Sequence, residues 1–94
     1  MDMRALMKQA QKMQEKMQRE IAGLKVEASA GGGMVTVTMA GNHEITAVRI
    51  APEAVESKDV EMLEDLVRAA VNEANRRIEA ALAETMRGLS VPGL

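Results

Sequence analysis

The chain has 94 residues, with 12 Lys and Arg against 14 Asp and Glu (formal net charge −2), and it contains no Cys, Phe, Tyr or Trp. A chain of this length fits one small domain burying about 60–65% of its unfolded surface. Without Cys, disulfides and thiolate metal sites are excluded and a reducing cytosol is the expected compartment. Without aromatic rings the base-stacking modes of single-strand and RNA recognition are excluded, and the core falls to Met, Leu, Val, Ile and Ala, the nine Met doing much of the filling.

The charge is uneven. Residues 1–25 hold six basic and three acidic side chains, residues 26–50 one and two, and residues 51–94 five and nine. The positive charge is therefore local to the front of the chain, and a basic front with an acidic back points to a polyanion contact or to electrostatics between protomers. Asp2 and Arg4 open the chain in place of an apolar leader, so no signal peptide is expected. No apolar run approaches the roughly 20 residues that span a bilayer.

The spacing predicts a helix over residues 3–23, rich in Gln, Lys, Glu, Met and Ala. At about 100° per residue, Arg4, Lys8, Lys12, Lys16 and Arg19 fall in one arc of roughly 120°, interrupted only by Glu15. Met3, Leu6, Met7, Ala10, Met13, Met17, Ile21 and Leu24 fall in an opposing arc. Positions 3, 10, 17 and 24 keep a seven-residue repeat, but Glu20 breaks its companion series, which is too short for a coiled coil. Gly23 ends the helix.

The period then changes to two. Val26, Ala28 and Ala30 alternate with Lys25, Glu27 and Ser29, giving a first strand over about 24–30. Gly31-Gly32-Gly33 is a turn; no Lys-Ser/Thr and no helix follow it, so a phosphate-cradling loop is excluded. Residues 34–40 form a β-branched second strand, Gly41-Asn42 a second tight turn, and residues 44–50 a third strand with Val48 and Ile50 on one side. Pro52 ends the sheet and Glu53 to Ser57 form a loose turn. Asp59 caps a long helix over about 60–86, with Leu63, Leu66, Val67, Ala70, Val71, Ala74, Ile78, Ala81 and Leu82 as its core stripe, Gly88 as its stop, and a flexible tail over 89–94.

The expected fold is a single α+β domain, α-β-β-β-α, with a three-stranded antiparallel meander and two long helices. The second helix is about 40 Å long, whereas three strands span about 10 Å. Both helices overhang the sheet, and their apolar stripes need a partner; a two-fold homodimer is the economical one.

Candidate chemistry is sparse. His43, the only histidine, sits in a turn with no Cys and no acidic cluster at ligand spacing, and Ser29, Ser57 and Ser90 lack the context of a nucleophile. Glu61, Glu64 and Asp65 read as the acidic first turn of a helix. Arg76, Arg77 and Arg87 read first as ion-pair partners of Glu73, Glu79 and Glu84. The basic arc of the first helix divides evenly between a solvated face and a polyanion site.

Several ordered segments resemble the YbaB/EbfC family of nucleoid-associated proteins. Residues 7–14 (MKQAQKMQ) look like the family's opening helix, residues 31–37 (GGGMVTV) like its glycine turn and second strand, residues 61–67 with 69–72 like the start of its last helix, and Pro92-Gly93 like its closing tail. The resemblance covers nearly all 94 residues. It implies a cytoplasmic, nucleoid-associated homodimer that binds double-stranded DNA with little sequence preference. Family members often carry a basic residue beside the second-strand valines, where this chain has Thr36, so its sheet brings less positive charge.

The combined expectation is a DNA-coating or DNA-bridging protein. Arg4, Lys8, Lys12, Lys16 and Arg19 are its phosphate contacts and Arg76 and Arg77 secondary ones, with no catalysis, cofactor, metal, membrane or small-molecule substrate. Phosphate contact releases condensed counterions and needs no sequence code, and side chains four apart sit about 6 Å apart along a helix, near the phosphate spacing of a strand. Two alternatives carry their own signatures. A Met-rich chaperone or adaptor would hold partner helices, and a membrane-surface binder would use the amphipathic basic helix without aromatic anchors.

Overall fold

A computed structural model describes residues 2–88. The elements are α1 (Met3–Ala22), β1 (Lys25–Ala30), β2 (Val35–Ala40), β3 (Ile45–Ile50), α2 (Pro52–Glu56) and α3 (Val60–Gly88). The tail over 89–94, with Pro92-Gly93, lies outside the described residues.

Local chemistry sets the boundaries. Asp2 caps α1, its carboxylate accepting from the Arg4 N–H at 3.1 Å. Gly23 closes α1 in a right-handed conformation, its N–H donating to the Arg19 carbonyl while the Leu24 N–H donates to that of Ile21. The loose turn expected after the sheet is the short helix α2, started by Pro52 with its fixed φ. Asp59 caps α3, its carboxylate accepting from the Met62 N–H at 3.0 Å. Gly88, the expected stop, is the last residue of α3 among those described.

The sheet has the order β1-β2-β3 and both pairings are antiparallel. The register places Val26, Ala28 and Ala30 of β1 opposite Met39, Val37 and Val35 of β2, and those opposite Ile45, Val48 and Ile50 of β3, so one face is continuously apolar. A bulge at Thr38/Met39 shifts the β3 register. On the other face the Ser29 and Thr36 hydroxyls are 3.0 Å apart, and Arg49 reaches across β2 to Glu27 at 3.1 Å.

α3 lies on the apolar face over β1 and β2 and leaves β3 uncovered. Ala70 and Ala74 let the helix backbone approach closely, and with Ile78 they close a core with Ala28, Val35, Val37 and Met39. Leu63, Leu66, Val67 and Val71 pack around it. The expectation that methionine fills the core is overturned, because Met39 alone of the described methionines is buried. The reason is position. Half of those side chains sit on α1, which stands off the sheet and touches α3 over a small patch near its base.

That overhang dominates the shape. The chain measures 68 × 22 × 15 Å with a radius of gyration of 19.0 Å, against about 12 Å for a compact chain of this length.

Candidate nucleic-acid interface

Arg4, Lys8, Lys12, Lys16 and Arg19 are all exposed on α1. From Arg4 to Arg19 they climb about 22 Å of helix. The opposing stripe is also open to solvent over its outer half, where Met3 and Met7 are 68% and 67% exposed; Met17, Ile21 and Leu24, near the base, are half-buried. The outer part of the arm therefore presents a cationic side and an apolar side, neither covered within the chain.

The ion pairs sort the arginines in two, while Lys25 and Lys58 outside α1 have no carboxylate among the described residues. Outside α1 every arginine has a carboxylate: Arg49 on Glu27, Arg68 on Asp65, Arg76 and Arg77 on Glu73, and Arg87 on Glu84. Among the described residues none of the five α1 cations has one. Three of the pairs are i,i+3 and one is i,i+4 on α3, where opposite charges face each other. α1 has Glu15 and Glu20 within the same reach of its lysines and arginines, yet forms no such pair.

Arg76 and Arg77 do not join the α1 face within the chain; both are taken up on α3 and β1. Arg76 holds Glu73 through Nε and Nη2 at 3.1 and 2.8 Å, and Arg77 donates from Nε to Glu73 at 3.2 Å. Arg77 Nη1 donates to the Glu27 carbonyl of β1 at 2.7 Å. The Arg76 guanidinium, then that of Arg77, holds the Glu73 carboxyl below the usual carboxylate range by hydrogen bonding to its charged form. Glu79, expected to pair with these arginines, instead meets His43 Nε2 at 2.7 Å and ties the β2–β3 turn to α3. His43 takes a left-handed conformation, φ 69°.

Two features escape the sequence reading. Lys25 is exposed and unpaired among the described residues, immediately below the base of α1; strand phase alone gave it no role. Gly41 is a buried position against Ile21, not merely a turn residue.

A second apolar surface runs between β3 and α3. Its groove is lined by Ile50, Val60, Leu63 and Val67, and along the open edge of the sheet Ile45, Val48 and Ile50 are each more than 40% exposed. Among the described residues no group of three or more His, Asp or Glu could hold a metal ion, and no helix is long and apolar enough to cross a membrane.

Comparison with known proteins places this geometry. The profile of the YbaB/EbfC DNA-binding family matches residues 1–94. A nucleoid-associated protein of Alkaliphilus metalliredigens is 47% identical over 100 residues, covering 99% of this chain and 88% of that protein. One of Acidobacterium capsulatum is 50% identical over 92 residues, covering 93% and 85%. The crystal structure of an uncharacterized protein from Helicobacter pylori superposes with a TM-score of 0.75 at 21% identity, covering 95% of this chain and 97% of that one, and shares the fold.

Proposed function

The chain belongs to the YbaB/EbfC DNA-binding family, and we propose that it binds duplex DNA with little sequence preference, through the phosphate backbone, as a homodimer in the nucleoid of the cytoplasm. The observation that carries this reading is the sorting of charge. Arg4, Lys8, Lys12, Lys16 and Arg19 lie unpaired along one side of a projecting helix, while each arginine elsewhere is matched by a carboxylate. Cations left free in a chain of net charge −2 are placed for an external anion. Arg76 and Arg77 enter as secondary contacts, since Glu73 already shares their charge.

The homodimer rests on the two uncovered apolar surfaces, the outer half of the α1 stripe and the edge of β3 with its groove. Exposed apolar area on this scale in a small domain calls for a partner, and a second copy supplies the same surfaces under two-fold symmetry. Two arms related by that axis offer two cationic faces, enough to bridge or compact duplex segments and so influence gene expression. The chain works as a single domain, and the reading assigns no catalysis, no cofactor and no small-molecule substrate. The family favours it over the adaptor alternative.

Titration against random-sequence duplex at rising salt tests it. Five neutralised phosphates per arm give a slope of log K against log salt of about −4.5 for each arm engaged. The Lys8→Glu/Lys12→Glu/Lys16→Glu variant, shown first to be folded and dimeric, should lose binding. Affinity indifferent to salt, or intact in that variant, contradicts the reading.

A further inference from the structure

Gly41 follows β2 and lies under the base of α1. It is buried, and its φ is not in the left-handed region, so the position makes no conformational demand for glycine. The demand is for space. A Cβ at Gly41 would stand 2.0 Å from the Ile21 carbonyl oxygen, 3.0 Å from the carbonyl carbon and 3.1 Å from Ile21 Cγ2. The Gly41 N–H donates to the Leu24 carbonyl at 3.1 Å, and the Leu24 N–H donates to the Ile21 carbonyl at 3.1 Å. The last turn of α1 is thus seated on bare backbone at the end of the sheet. Beyond this seat the arm's main contact among the described residues is its small patch on α3.

We propose that Gly41 is a positioning residue for DNA binding: the missing side chain sets the direction in which α1 carries its cationic face away from the sheet. This rests on the reading of α1 as the DNA-binding arm; Gly41 itself touches no DNA. The arm works as a lever about Leu24. Ile21 lies about 4.5 Å along the helix from that pivot and Arg4 about 30 Å. A retreat of Ile21 by about 1 Å, the least that relieves a Cβ at Gly41, therefore carries Arg4 through roughly 7 Å, close to one phosphate spacing.

The absence of native Cys allows spin labels on Gln9→Cys and Asn75→Cys, one on each long helix. Labelled protomers are diluted into an excess of unlabelled protein, and the distance between labels is read by pulsed electron resonance beside duplex affinity. Gly41→Ala is expected to shift the mean distance by several ångströms and to weaken duplex binding severalfold. Gly23→Ala, whose added Cβ meets nothing nearer than 3.5 Å, should leave both unchanged. A wild-type distance in Gly41→Ala overturns the proposal. So does a shifted distance with unchanged affinity, and the charge-reversal triple separates the two failures: if it still loses binding, α1 remains the arm and only the positioning role falls. Should Gly41→Ala not fold, Ile21→Ala loosens the seat by removing Cγ2 without crowding. It should broaden the distance distribution, and an unbroadened one overturns the proposal.

Discussion

Arg77 Nη1 donates to the backbone carbonyl of Glu27 at 2.7 Å, fastening the middle of α3 to the outer edge of β1 across 50 residues of sequence. β1 is an edge strand, so this bond satisfies a carbonyl the sheet leaves open. With its side chain about half exposed, Arg77→Ala should lower stability by about 1 kcal/mol in urea denaturation, while the salt slope of DNA binding stays near that of the wild type. Lys12→Ala should do the reverse, changing stability by less than about 0.5 kcal/mol and reducing the slope by about 0.9 for each arm engaged. Equal effects from the two variants would place Arg77 among the primary phosphate contacts.

Glu73 gives stability a sign with pH. Its carboxyl is held below the ordinary value of 4.5 by the Arg76 and Arg77 guanidinium groups, so the folded state favours its charged form. A depressed carboxyl stabilises above the unfolded pKa, and that stabilisation fades as pH falls through the folded one. The wild type should therefore exceed Glu73→Gln in denaturation midpoint at neutral pH, and the gap should close as pH drops below 4.5. A gap independent of pH would mean that Glu73 acts through packing alone.

The element order was legible because the chain changes its hydrophobic period from 3.6 to 2 at Gly23–Leu24 and places glycine turns between its β-branched runs. The basic arc of α1 follows from the same periodicity, as do the Arg76–Glu73 and Arg87–Glu84 pairs, which need only one helical turn. What spacing cannot supply is the third dimension. Arg49–Glu27 depends on strand register, His43–Glu79 on which helix crosses which turn, and the exposure of Met3 and Met7 on how far α1 stands off the sheet. Gly41 illustrates the limit most clearly. Glycine beside Asn42 reads as turn chemistry, but the left-handed residue of that turn is His43, and Gly41 provides room for a helix that arrives from the front of the chain.

Gly31 and Gly32 separate backbone strain from crowding. Both have positive φ, 63° and 66°, so alanine at either carries a left-handed penalty of about 1–2 kcal/mol. A Cβ at Gly32 meets nothing within 4 Å, whereas one at Gly31 would lie 2.7 Å from Leu66 Cδ2 at the edge of the core. Gly31→Ala should therefore cost about 1 kcal/mol more than Gly32→Ala in thermal or urea unfolding. Coincident transitions would show that Leu66 swings aside without loss.

The β3 edge tests the homodimer. Val48 and Ile50 are 49% and 41% exposed on the apolar side of an edge strand beside the Val60–Leu63 groove. A carboxylate at position 48 is solvated in an isolated protomer and costs little, but in a closed interface it is buried without a partner. Val48→Glu should keep the helical and strand content of the wild type by circular dichroism and sediment as a monomer. DNA affinity should fall with it, because two arms no longer bind as one body and the effective-concentration advantage is lost. Thr46→Glu, on the same strand but exposed and outside the apolar register, controls for added charge and should remain dimeric. If Val48→Glu sediments as a dimer, the interface lies elsewhere, and the α1 stripe at Met3, Leu6 and Met7 is the surface that must close it.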